Sequence, residues 1–111
     1  MPATAPVDTA TLTTVINQCF ANAIDGRFSP ADQNTFLIEG KRLRGQLLNL
    51  LSAQFDAGSA QLVAANNKLT TVNTELSNSA SVLANTAGTL NDIASLVSNL
   101  DSLLTTAISF V

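Results

Sequence analysis

At 111 residues the chain is one domain or one subunit of an assembly, with room for a modest core and none for an elaborate internal site. A net charge of −3 excludes general binding to phosphate backbones, so no nucleic-acid partner is expected. The single cysteine excludes an internal disulfide, and a charged fraction of 12%, half the usual share, leaves a surface built mostly of Ser, Thr, Asn and Gln.

Residues 1–7 carry Pro2 and Pro6 and read as a flexible leader. The segment has neither a basic region nor an apolar core, so it does not read as a secretory signal. No stretch of about 18 residues is continuously apolar, and no membrane span is expected. A cytoplasmic location follows as the default, with export by a signal-less route also compatible.

Asp8 or Thr9 can cap a first helix over 8–24. Its apolar face is Leu12, Val15, Ile16, Cys19, Phe20, Ala23 and Ile24, at three-to-four spacing. Cys19 falls on that face and reads as a small buried hydrophobe, with no Lys, Arg or His nearby in sequence to activate it.

The string from Asp25 to Asp32 is the clearest punctuation in the chain. Gly26 is expected to take the left-handed position that ends a helix. Ser29, Pro30 and Asp32 then suit the N-cap, N1 and N3 of the next one. Asp25-Gly26, Phe28 and Asp32 resemble the second half of a calcium-binding EF-hand loop. The resemblance covers about eight residues, and the positions that would carry the first two ligands are Ala21 and Ala23. Calcium needs six or more oxygens. The segment is therefore read as a helix–turn–helix link, with no metal and no cofactor.

A second helix is expected over 31–57, with core candidates Phe36, Leu37, Leu43, Leu47, Leu48, Leu50, Leu51 and Phe55. Within it, Lys41, Arg42 and Arg44 are three of the chain's five basic residues. They form a candidate patch for an anion or an acidic partner, or else a solvated face with Glu39 and Arg42 paired three residues apart. Gly40 and Gly45 cost about 1 kcal/mol each in a helix interior, and mark a kink or the close approach of a neighbour.

From Leu48 onward every seventh residue is apolar: Leu48, Phe55, Leu62, Leu69, Leu76, Leu83, Leu90, Val97, Leu104 and Val111. Companion positions three residues on include Leu51, Ala65, Val72, Ile93 and Leu100. A period of 3.5 means helix with another helix against its seam. Leu48, Phe55, Leu62, Leu69, Leu76, Leu83, Leu90, Ile93, Val97, Leu100 and Leu104 are thus the candidate interaction seam. Gly58 and Ser59 favour a break, after which a third helix over 60–110 folds back antiparallel on the second. Ala87-Gly88 offers another break, but strong heptads on both sides favour continuity. The expected fold class is all-α: an antiparallel hairpin or bundle of three helices, four if the chain breaks near 88, with a long heptad-patterned C-terminal helix.

No constellation of catalytic groups emerges. The eight acids are spread singly, no histidine is present, and no phosphate-cradling glycine loop occurs. The expectation is a non-enzymatic structural or interaction protein that packs on itself or on a helical partner, with no small-molecule substrate. The low-charge, Ser/Thr/Asn-rich heptads resemble the helical rods of bacterial receptors, phage tail parts and secreted filament subunits. Two other readings stand beside it. One is a surface-active protein opening its helices onto a membrane or apolar granule, without the usual Lys/Arg border. The other is a small regulator or ligand carrier with a bundle cavity.

Overall fold

The computed structural model describes residues 3–110, and the side chains of residues 3–108. The fold is all-α: five helices pack together and a minor antiparallel ribbon closes one end.

Helix α1, Thr9–Ala23, starts where the Asp8 carboxylate accepts a hydrogen bond from the Thr11 N–H at 3.1 Å. Leu12, Val15, Ile16 and Cys19 are buried, as their spacing requires. The link that follows is tied by its own side chains. Arg27 pairs with Asp25 at 2.6 Å, and Gln33 Nε2 donates to the Asp25 carbonyl oxygen at 2.8 Å. Phe28 is buried against Phe36, ring centroids 5.1 Å apart. Gly26 does not take the expected left-handed conformation. The turn is stabilised by the Asp25 carboxylate accepting from the Arg27 N–H instead.

Helix α2, Pro30–Leu50, begins at Ser29, whose hydroxyl accepts from the Asp32 N–H. It ends seven residues short of the expected 57. Ala53–Asp56 is a strand, β2, whose neighbours are β1 (Thr4–Ala5) and β3 (Ser109–Phe110). Both pairings are antiparallel. Within the expected leader, Thr4 and Ala5 pair with Asp56 and Phe55, and Val7 is buried. Phe55 is buried as the heptad row demands, but from a strand.

Beyond the ribbon, Ser59 caps α3, Ala60–Leu76. The expected long helix then breaks twice, at Ser77-Asn78 and at Asn85, three residues before Gly88. Asn78 caps a short α4, Ser79–Ala84, and α5 runs Thr86–Leu104 with Gly88 inside its first turn. At the first break the side chains of Ser77 and Asn78 compete for the backbone: Ser77 Oγ donates to the Thr74 carbonyl oxygen and Asn78 Oδ1 accepts from the Ser81 N–H. This reversal lets α5 pack back on α3.

Helix α1 packs on α2 and α3, and α5 packs on α3 and α2, so the four long helices form a ring in the order α1, α2, α5, α3. Helices α2 and α3 lie on the diagonal, joined by β2 across the end of the bundle, and do not form the expected hairpin. The result is a rod 50 Å long and 20 by 19 Å across. Leu62, Leu69 and Leu76 face the same core as Ile93, Val97 and Leu100. The seven-residue rhythm survives the turn because α4 is itself helical and adds Val82 and Leu83 to that core.

Candidate interaction surface

In α2 the core positions are Phe36, Glu39, Gly40, Leu43, Gln46 and Leu50. That three-to-four spacing fixes one face inward and the opposite face to water. The outward residues are Ile38, Lys41, Gly45 and Leu48, with Arg44 and Leu51 along the flank towards α1. Leu48 is 69% exposed, Leu51 61% and Ile38 41%. The expected core role of Leu48 and Leu51 is therefore corrected. Leu48 lies within α2 on the side away from Leu43, Gln46 and Leu50, and Leu51 stands just past the helix end on the flank, so the heptad row does not carry them inward. Leu37, another core candidate, is only half-buried.

The rest of the candidate seam lies inside the chain. Phe55, Leu62, Leu69, Leu76, Ile93, Val97 and Leu100 are buried, and Leu83, Leu90 and Leu104 are half-buried against the same core. In α5 the fully buried leucines are Leu96, Leu100 and Leu103, so the seven-residue rhythm holds, but its inward rows are Thr89, Leu96, Leu103 and Ile93, Leu100, with the expected row of Leu90, Val97 and Leu104 beside them.

The basic cluster divides. Arg42 turns towards α5, and its guanidinium donates to Glu39 Oε1 at 2.9 Å while Glu39 is buried. Arg44 sits 5.7 Å over the Phe20 ring on the α1 side. Lys41 faces outward. Three neighbours in sequence thus point in different directions, because each helical residue advances by about 100°. Gly40 has the role its position suggested. A Cβ there would lie 3.0 Å from Phe20 Cε1 and 3.2 Å from Cys19 Cβ, so its bare backbone is what lets α1 approach α2. At Gly45 a Cβ would meet nothing within 4 Å.

Between α2 and α5 runs an open groove of about 470 Å³, lined by Arg42, Gly45, Gln46 and Asn49 on one side and Val97, Asp101 and Leu104 on the other. Gln46 Nε2 donates to the Val97 carbonyl oxygen at 2.8 Å and to Asp101 Oδ1 at 2.7 Å, tying the helices across its floor. Nothing in the sequence marks Gln46, a lone amide in mid-helix whose partners lie more than 50 positions away.

A second polar cluster joins α3 to α5. Lys68 Nζ pairs with Asp92 Oδ1 at 3.3 Å, and Glu75 shares a hydrogen bond with the same Asp92. Partial burial, then the Asp92 carboxylate beside it, push the Glu75 carboxyl up to about 7. The hydrogen bond from Glu75 holds Asp92 below its ordinary range. Cys19 is buried, and desolvation, then the Glu39 carboxylate, push its thiol up to about 12. The Arg27 guanidinium holds the Asp25 carboxyl down to about 2. Among the described residues no group of three His, Cys, Asp or Glu side chains is placed to hold a metal, and no helix is long and apolar enough to cross a membrane.

Comparison of the chain with protein-family models, with curated proteins and with solved structures gives no match.

Proposed function

We propose that the chain is a non-enzymatic interaction module, a self-contained bundle that offers the outer face of α2 to a helical partner. The observation that carries this is the exposure of Leu48 and Leu51, two large apolar side chains with no part in the core. Covering a leucine fully yields about 1.5–3 kcal/mol, so two on one helix face supply a useful anchor. The ring of helices supports the reading from the other side. The seam that would otherwise drive coiled-coil assembly is buried inside the chain, so the bundle needs no second copy to satisfy its core.

Affinity capture from the cells that make the protein tests this, with wild type and the Leu48→Ser/Leu51→Ser double variant compared side by side. A specific protein retained by wild type and lost by the variant, but kept by Val63→Ser on exposed α3, is the expected result. The same proteins held equally by all three would refute it.

A further inference from the structure

Resting on that reading, we infer that the partner presents an acidic amphipathic helix whose backbone crosses α2 at Gly45. Ile38, Lys41, Gly45 and Leu48 follow at steps of three, four and three, the spacing of a helix face that meets another helix. All four are exposed. At the centre of this row stands a glycine, which costs about 1 kcal/mol in a helix interior. Gly40 repays that cost by admitting Phe20 and Cys19, whereas among the described residues a Cβ at Gly45 would meet nothing within 4 Å. A bare position flanked by exposed Ile38 and Leu48 is what a second helix needs for close approach.

Charge selects the partner. The face carries Lys41 and Arg44 and no acid. The two acids of α2, Asp32 and Glu39, lie elsewhere, Asp32 in the first turn and Glu39 buried against Arg42. On a chain of net charge −3 this face thus holds Lys41 and Arg44, the two of the five basic residues that form no ion pair among the described residues. A second copy is a poor occupant. Laid on the same face about a two-fold axis at Gly45, it would bring Lys41 and Arg44 of both copies together with no free acid to answer them. An anionic lipid surface gains only two cations and makes no use of a notch one residue wide.

The test uses the full chain labelled with ¹⁵N and three synthetic amphipathic helical peptides of one leucine pattern, with Glu, Gln or Lys on the flanking positions. The Glu peptide is expected to shift the amides of Ile38, Lys41, Gly45 and Leu48. It should bind about three- to tenfold more tightly than the Gln peptide at low salt, as two exposed ion pairs provide. Lys41→Glu/Arg44→Glu should transfer that preference to the Lys peptide, and Gly45→Leu should abolish binding with the bundle intact by circular dichroism. Equal binding of Glu and Gln peptides at this face would overturn the acidic partner and leave the docking face standing. Failure of all three peptides, or shifts confined to another surface, would overturn the inference, with the docking face then judged by the Leu48/Leu51 capture alone. Co-flotation with phosphatidylserine vesicles but no peptide binding would overturn it in favour of a membrane surface.

Discussion

Alanine at the two glycines of α2 should act in opposite directions. Each Gly→Ala exchange gains about 0.5–1 kcal/mol, because alanine loses less backbone freedom on folding. At Gly45 that gain is unopposed, since the new methyl touches nothing within 4 Å. For a chain of 111 residues an unfolding entropy of about 2.1 cal/mol/K per residue converts 1 kcal/mol into about 4 °C. Gly45→Ala should therefore raise Tm by about 2–4 °C. At Gly40 the same methyl would sit 3.0 and 3.2 Å from Phe20 Cε1 and Cδ1, and 3.2 Å from Cys19 Cβ. The Phe20 ring is half-buried and can tilt, but Cys19 Cβ is fixed to the α1 backbone, so the helices must separate by a few tenths of an ångström. Such overpacking costs about 1–3 kcal/mol, more than the gain. Gly40→Ala should lower Tm by up to about 8 °C, read by thermal circular dichroism or calorimetry. If Gly40→Ala melts as high as Gly45→Ala, the close approach of α1 and α2 at this point is wrong.

Truncating the core should separate buried from exposed leucines. Leu69→Ala and Leu100→Ala should each cost about 2–5 kcal/mol in denaturant titrations, whereas Leu48→Ser should stay within about 0.5 kcal/mol, and equal losses would contradict the burial pattern. Stability should fall as pH rises from about 4.5 to about 7. Over that window the folded state holds the Glu75 proton that the unfolded chain has released, and the slope should end above it. Asp8, Asp25 and Asp92, all held below their ordinary values, act only at lower pH, where stability is lost as they protonate. Solvent screening at Glu75 holds the change to about 1 kcal/mol, and Glu75→Gln should flatten it; an unchanged slope in that variant would exclude Glu75 as its source. Arg42→Ala should cost about 2 kcal/mol by stranding the buried Glu39 carboxylate, and the Arg42→Ala/Glu39→Gln double variant should recover most of it. Cys19 should resist thiol reagents in the folded protein and react once the chain is unfolded in denaturant, and rapid native labelling would contradict its burial.

Much of the local structure was legible because it depends on near neighbours. Asp8, Ser29 and Ser59 cap helices where their short oxygens stand three residues ahead of free N–H groups, and Glu39 meets Arg42 one turn away. The inward face of α1 and the leucines of α3 follow from spacing, except at Ile24, which lies just past the end of α1 and is 86% exposed. The heptad row misled where it crossed a change of element. Leu48 keeps the rhythm but sits on the side of α2 away from Leu43 and Leu50, and Leu51 stands where the helix has ended and the chain turns towards a strand. The strands were not readable. Two to four residues have no period to detect, and their partners lie about 50 positions away along the chain.

The sequence by itself determined that this protein is helical, which faces of α1 and α3 turn inward, and where three of its helices begin. These depend on the 3.6-residue repeat and on hydrogen bonds within one turn. The tertiary structure alone decided that α3 pairs with α5 rather than α2, that Gln46 bridges two helices, and that Leu48 stands in water. Such outcomes depend on how the chain reverses at Asn78 and crosses the bundle at β2, and a reversal sets contacts between residues that no local pattern links.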